Sequence, residues 1–363
     1  MNLVGVFADQ APESPLLAAA IQPSSAVPPA PSVSPSAGSA GPDLGPEAGP
    51  QAPAGADDPL PVKPVEQSSW RERGRVTFLL VGGDAGPGRS GLRTDTMMVL
   101  SVDPKTERAA IFGIPRNLAD VPFPKTAHTD LDTFPGILNA LWGYATASPE
   151  LFPGSRVPGA TALKETIGNL LGLRIDYYAA VDLRGFVEVI DALGGVTVNV
   201  QKNVYDAGVS PPYDDEPWIV VDLEPGQHHL DGRLALGYAR TRWATSDYDR
   251  MRRQRCILGA LVQQASPARI LRSFPKLASV VKRFMLTDVP IKELPDLIEL
   301  LTQLSTAKTV AVSFAPPGFD SRWHDGYPVP DVELIRGTVK QALKRTPALD
   351  AESGLETLKT GCA

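Results

Sequence analysis

Lysine and arginine are absent from the first 62 residues of this 363-residue chain, while six acids fall there: Asp9, Glu13, Asp43, Glu47, Asp57 and Asp58. That stretch therefore carries −6, the net charge of the whole protein, and residues 63–363 balance to zero. A folded part without net positive charge argues against nucleic acid as a partner, since such binding rests on a basic surface. Residues 1–72 hold 14 of the 36 prolines and only two aromatics, Phe7 and Trp70. That leaves too little apolar surface to offset the entropy of ordering. The stretch 1–72 reads as a flexible Pro/Ala/Ser/Gly-rich spacer. The folded domain is then 73–349, with 350–363 a flexible C-terminal tail.

Cysteine is scarce too. Cys256 and Cys362 are the only two, and neither sits in a C-x-x-C arrangement. A disulfide framework and a cysteine zinc site are excluded, while a single bridge between the two stays open. No run of about 18 apolar residues occurs, so no transmembrane helix is evident. No basic region precedes LLAAA, so a signal peptide is not evident either. A G-x-S-x-G elbow is missing, and no Ser/His/Asp set has supporting context. The pair His228-His229 has nothing at ligand spacing beside it and reads as structural.

What is present is an alternation of strand and helix periods after residue 74. Strands are expected at Val76–Val81, Met97–Val102, Ala109–Ile114, Tyr177–Val181, Val196–Val200 and Thr309–Phe314. Helices are expected at Pro135–Ala147, Ala160–Leu171, Leu183–Leu193, Gly232–Tyr238, Asp249–Ala265 and Asp331–Lys344. The short VDPKTE turn makes the second and third strands an antiparallel hairpin. Together these give an α/β fold, a three-layer α/β/α sandwich with a mixed central sheet.

The stretch VGGDAGPGRSGLRTDT, residues 81–96, has the spacing of a phosphate-binding loop in Gly83, Gly88, Arg89 and Ser90. Such a loop must close on a helix whose N-terminus faces the phosphates. Here Gly91 and Thr94 oppose a helix, and the strand-like MMVLSV follows, so the nucleotide reading fails. The loop still presents Asp84, with Arg93 and Asp95 close behind. Two carboxylates near arginines suit a divalent metal bound to phosphate oxygens. A surface turn with an Arg–Asp pair is the plainer reading of those residues alone.

Arg116, in GIPRN, stands at the end of an expected strand, where α/β sheets often bind ligands. The denser signal lies between Arg240 and Arg255, with six arginines against two aspartates. Arg240 and Arg242 alternate, so in extended chain they share a face. Arg250 and Gln254 are four apart on the next helix, and Leu258, Leu261 and Val262 continue that helix's buried side. Arginines aimed inward demand an anion, and a compact diphosphate suits several at once. Arg252, Arg253 and Arg255 fit a solvated basic face.

The strand ending in Asp84, RTDTMMVLSVD, IPRN, ALGGVTVNV, HHLDGRLALGYARTR and DYDRMRRQR together resemble the LytR-CpsA-Psr family of cell-wall glycopolymer transferases. The resemblance runs continuously over about residues 76–265. It implies a phosphotransferase that takes a glycopolymer from a polyprenyl-diphosphate carrier and attaches it to a peptidoglycan acceptor at the outer face of the membrane. It implies that Arg93, Arg116, Arg240, Arg242 and Arg250 bind the diphosphate with Gln254 in support. Asp84 and Asp95 would hold Mg²⁺, and Asp247 would orient an arginine or assist the acceptor. Asp95 and Asp247 are both open as the base. The polyprenyl tail would lie in an apolar channel. Members of that family usually have an acid after the Pro-Arg pair, where this chain has Asn117, and they carry an N-terminal membrane anchor not visible here. A mis-set start site, or a chain starting after its anchor, would account for that. A pyrophosphatase using water as acceptor, or a non-catalytic binder of polyprenyl phosphates, would use the same residues.

Overall fold

A computed structural model describes residues 74–84, 92–212, 215–243, 245–264, 267–304, 308–344 and 356–357. The proposed spacer lies outside the described residues, as do Gly88, Arg89 and Ser90 and most of the proposed tail. In chain order the strands are β1 (Val76–Gly83), β2 (Thr94–Asp103), β3 (Arg108–Ile114), β4 (Tyr177–Val181), β5 (Val196–Val200), β6 (Val204–Val209) and β7 (Ile219–Leu223). They continue with β8 (Gly226–Leu230), β9 (Met285–Thr287), β10 (Thr309–Ser313), β11 (Asp320–His324), β12 (Tyr327–Pro330) and β13 (Glu356–Thr357). The α-helices are α1 (Leu141–Ala147), α2 (Pro158–Leu171), α3 (Leu183–Ala192), α4 (Gly232–Arg240), α5 (Asp247–Gln264), α6 (Pro267–Phe284), α7 (Leu294–Gln303) and α8 (Val332–Lys344).

The main sheet has the order β13-β10-β3-β2-β1-β4-β9. It is mixed: β1 runs parallel to β4 and β10 to β3, while the remaining pairs are antiparallel. Both faces are covered, and the strand period shows how. Along β1, Leu79 and Val81 point into a core shared with Trp142, Leu163, Ile167 and Val339 from α1, α2 and α8. Phe78 and Leu80, which alternate with them, point into the opposite core with Leu258 and Val262 of α5 and with Leu300. A period of two therefore splits one strand between two cores. This is the three-layer α/β sandwich. A third cluster joins the β5–β8 and β6–β7 pairs to α3, α4 and α5 through Val196, Val221, Tyr238 and Ile257.

Two local departures from expectation have physical causes. The helix expected from Pro135 starts as a 3₁₀ turn at Leu138–Ala140 and becomes α-helical at Leu141. Its first amides are taken elsewhere: Leu138 N donates to Leu118 O at 2.9 Å and Asn139 N to Arg116 O at 2.9 Å. The segment thus clamps the loop after β3 instead of starting a helix. The second departure concerns α5, where Arg253 and Arg255 are only 1% and 5% exposed and not on a solvated face. Arg253 donates to the carbonyls of Tyr238 and Thr241 and to Thr245 Oγ1, bracing the corner between α4 and α5.

Cys256 is disulfide-bonded, and the chain's other cysteine, Cys362, lies outside the described residues. His228 and His229 are hydrogen-bonded to Glu224 O and Thr197 Oγ1 on the β5–β8 pair, which is a structural role. Among the described residues no helix is long and apolar enough to cross a membrane.

Candidate functional site

The described residues on either side of the sequence that resembles a phosphate-binding loop are strands, β1 before it and β2 after it. β2 pairs antiparallel with β1 from Val76↔Val102 to Gly83↔Thr94, with a register shift at Gly82 and Gly83. A Cβ on Gly83 would lie 2.2 Å from Leu92 Cδ1, and one on Gly82 3.0 Å from Thr96 Cβ. The bare backbones let the strands close directly beneath Asp84. Its Oδ1 accepts from Arg93 N at 2.9 Å, and its own N–H donates to Arg93 O at 3.2 Å.

Because β2 is antiparallel to both β1 and β3, its start lies beside their ends. Asp84, Asp95 and Arg116 are therefore gathered at one end of the sheet. Arg116 Nη1 donates to Asp95 Oδ1 at 2.6 Å, and Asn139 Nδ2 reaches the same oxygen at 3.4 Å. The α4–α5 corner supplies the rest. Asp247 in the first turn of α5 pairs with Arg250 through two hydrogen bonds of 3.1 Å. The same carboxylate lies 3.5 Å from Arg116 and 3.5 Å from Arg242. Arg250 is 3% exposed and also donates to Asp95 O at 3.1 Å, tying helix to sheet.

Charge crowding sets the titration of these groups. Burial alone would push the Asp247 carboxyl up, but Arg250, Arg116 and Arg242 hold it below its ordinary value. Burial works against the Arg116 guanidinium, yet Asp95 and Asp247 keep it above its usual value. Arg242 is lowered, by burial first and then by the neighbouring Arg116 charge. An excess of guanidinium over carboxylate at one place is a ready anion site.

Part of this cluster lines one end of a cavity of about 480 Å³ between the sheet, α3, α4 and α5. Asp84, Asp95, Arg240, Arg242, Arg250 and Gln254 line that end. The opposite walls are apolar, among them Leu80, Met98, Phe186, Leu236, Ile257 and Met285. A charged pocket continuous with an apolar one fits an amphiphile with an anionic head and a hydrocarbon tail.

Each sequence-predicted residue has a place. Asp84, Asp95, Arg240, Arg242, Arg250 and Gln254 line the cavity; Arg116 and Asp247 are bonded to that set. Arg93 is exposed, is not part of the cavity wall, and contacts Asp84 through its backbone. Arg240 and Arg242 do not share the face of a strand: Arg240 ends α4 and Thr241 caps it, so both reach the cavity by a turn. Gln254 Nε2 donates to Ala239 O at 3.2 Å, steadying the end of α4. Asp249, the other acid near the corner, is engaged with Ser246, whose N–H and hydroxyl both donate to it.

Four further residues escape sequence reasoning. Asp182 and Asp206 line the cavity at 3% and 8% exposure. Asp182 caps α3 by accepting from Gly185 N at 2.6 Å, a role its position before an apolar helix announces. Burial pushes its carboxyl up to about 6. Asp206 accepts from Thr241 Oγ1 at 2.5 Å, so it holds the residue between the two arginines. Asn139, which reaches Asp95, and Tyr248, which follows Asp247 in α5, are the others. No sequence spacing could have paired residues so far apart in the chain.

Mg²⁺ fits the donor set in one way only. Among the described residues no group of three His, Cys, Asp or Glu side chains could hold a metal. Asp84 and Asp95 on one cavity wall match an ion that takes one or two carboxylates and completes its shell with waters and substrate phosphates.

The chain matches the LytR_cpsA_psr family model over residues 52–338. It is 34% identical over 214 residues to the probable cell wall biosynthesis protein LcpB of Corynebacterium glutamicum, covering 58% of this chain and 43% of that one. It is 30% identical over 222 residues to the regulatory protein MsrR of Staphylococcus aureus, covering 60% of this chain and 57% of MsrR. The chain thus spans about half the length of the curated relatives it matches. The crystal structure of B. subtilis TagV superposes with a TM-score of 0.56 at 26% identity, covering 76% of this chain and 99% of TagV. TagT bound to LIIa-WTA shares the fold, with a TM-score of 0.54 at 22% identity over 77% of this chain and 94% of TagT. A family model matched across most of the folded residues, and across every element of the arginine cluster, makes this chain a member of the LytR_cpsA_psr family.

Proposed function

We propose that the protein is a cell-wall glycopolymer phosphotransferase whose donor is a glycan on a polyprenyl diphosphate. The observation that carries this reading is the two-part cavity, arginine-lined at one end and apolar along its length. The lipid tail takes the apolar part, and the diphosphate sits among Arg240, Arg242 and Arg250, with Arg116 behind Asp95 and Asp247. Cell-wall biosynthesis in the name of LcpB and the LIIa-WTA bound to TagT support the same class of substrate.

An acceptor hydroxyl on peptidoglycan attacks the phosphorus that bears the glycan. A new P–O bond forms, the P–O–P bridge breaks, and polyprenyl monophosphate leaves. Such transfers depend on positioning and charge neutralisation more than on covalent chemistry from the protein. The guanidiniums supply both, and Arg250 is fixed by Asp247 and by the Asp95 carbonyl before substrate arrives. Mg²⁺, held by Asp84 and Asp95, would neutralise further phosphate charge. Asp247 orients arginines and is a poor proton acceptor, because three guanidiniums hold it ionised. Asp95 is itself bonded to Arg116 at 2.6 Å, so it too holds an arginine in place. Arg93 would reach the phosphates from the exposed side.

The test is product analysis with a short-chain prenyl-diphosphate glycan, with and without peptidoglycan fragments. Formation of a glycan phosphodiester on the fragments, abolished in Arg240→Ala, is expected. Free glycan phosphate as the sole product would make the protein a pyrophosphatase. Lipid binding without turnover would make it a carrier-lipid binder.

A further inference from the structure

Strand β6 breaks its own alternation where it passes the cavity. Asp206 pairs with Val221 and Val209 with Ile219, so β6 takes three residue steps where β7 takes two. One extra residue on one strand is a β-bulge, a device that re-aims side chains beside functional sites. Strict alternation would turn Val209 away from the side that Asp206 faces. With the bulge both are buried, and Asp206, Gly208, Val209 and Ser210 all line the cavity.

The bulge meets the arginine turn at two points. Asp206 Oδ2 accepts from Thr241 Oγ1 at 2.5 Å, and Ser210 O accepts from Arg240 Nη1. The other Asp206 oxygen, Oδ1, accepts from Gly208 N at 3.0 Å and shapes the bulge itself. Thr241 is 2% exposed and leaves the helix at ψ 139, so its hydroxyl is the fixed point between Arg240 and Arg242. Asp95 and Asp247 bond arginines directly, whereas the two donors to Asp206 are both neutral. A carboxylate only accepts, so it serves both donors at once; an asparagine would turn its amide N–H groups toward one of them. Burying a carboxyl is costly, and plain packing has no use for it.

We propose that Asp206 is a positioning residue for the diphosphate site: acting through Thr241, it holds Arg240 and Arg242 in the arrangement that receives an anion. The inference rests on the donor reading of the cavity and adds which residue pre-organises it. Arginine loses much rotamer freedom on binding, and a backbone fixed before the ligand arrives lowers that cost. Asp206 and Thr241 stand 35 residues apart, so the β6–β7 pair sets this turn together with the helices.

The experiment is calorimetry on the full chain with inorganic pyrophosphate, farnesyl diphosphate and farnesol, each variant being checked by thermal unfolding. Asp206→Ala and Thr241→Val should each weaken both diphosphate probes by about tenfold, the lower end of what the outer partners of a ligating side chain contribute at metal sites. Farnesol binding should not change. Thr241→Ser keeps the hydroxyl and should bind as the wild type does. The double variant should lose no more than the worse single one, because both remove the same contact. Should Asp206→Ala fail to fold, the near-isosteric Thr241→Val decides, with Thr241→Ser as its control. Wild-type affinity in Thr241→Val, losses that multiply in the double variant, or an equal loss for farnesol overturns the proposal. If pyrophosphate binds through this pair but the farnesyl chain adds nothing, the clamp stands and the lipid-donor reading falls. Binding of neither diphosphate by the wild type overturns both.

Discussion

Asp247 and Asp182 are both acids at the start of a helix, yet their surroundings drive them in opposite directions. Asp247 is drawn down by three arginines, so its contribution to stability is present above its unfolded value and is lost as pH falls through the folded one. Asp182 is raised from 3.8 to about 6, because burial outweighs its hydrogen bond to Gly185. Between pH about 4 and about 6 the folded protein holds a proton there that the unfolded chain has released. Stability therefore falls as pH rises through that window, by about 3 kcal/mol for about two pKa units. Asp182→Asn keeps a capping side chain without the charge and should stabilise the protein at pH 7.5 by about 1–2 kcal/mol. Urea unfolding at pH 7.5 and pH 5 checks it; the gain should be largely gone at pH 5, and an equal gain at both would contradict the account. Arg253 and Arg252 form a second contrast. Arg253→Met removes bonds to Tyr238 O, Thr241 O and Thr245 Oγ1 and should cost about 2–4 kcal/mol from carbonyls left buried. Arg252→Met should stay within about 0.5 kcal/mol by the same denaturation, since its ion pair with Asp249 is partly exposed.

At the scale of elements, the site depends on how closely α3 and α4 approach. A Cβ on Gly232 would stand 2.2 Å from Val187 O, a backbone atom that cannot turn aside. Gly232→Ala should therefore force α4 away from α3 and destabilise the fold by about 1–3 kcal/mol. Because Arg240 lies at the far end of α4, it should also weaken diphosphate binding; thermal unfolding and calorimetry on one preparation read both effects. Elements with strong periodicity were legible in the sequence. The Tyr177–Val181 and Val196–Val200 strands match their expected bounds, and α2, α3, α5 and α8 differ from theirs by a few residues. The Asp247–Gln264 helix was found, but its facing was only half read. Leu258 and Val262 fix one buried side, and the sequence does not reveal that α4 and the corner bury the side carrying Arg253 and Arg255. The β6–β7 and β11–β12 pairs went unseen because their strands are short and weakly alternating, although Asp325-Gly326 is a hairpin signal in itself.

Across the whole molecule, one arrangement unites the fold and the proposed chemistry. Antiparallel insertion of β2 between β1 and β3 brings Asp84, Asp95 and Arg116 to one end of the sheet, and the α4–α5 corner closes over them. Residue types alone pointed to an anion site, since arginines on the buried side of a helix have few other uses. They could not show that Asp247 joins three of those arginines, because that contact depends on how the corner folds. Nor could the sequence tell a packed apolar core from a hydrocarbon channel. Leu236, Ile257 and Met285 read the same either way, and only the fold places them along a cavity between the layers.

The most direct test of the central claim is calorimetric titration of the full chain with farnesyl diphosphate, alongside farnesol and Arg240→Ala. The account expects the diphosphate to bind, the alcohol to bind far more weakly, and Arg240→Ala to lose at least about tenfold in affinity, as for a charge-assisted contact of about 1.5–3 kcal/mol. Equal affinity for diphosphate and alcohol, or no loss in Arg240→Ala, would contradict it.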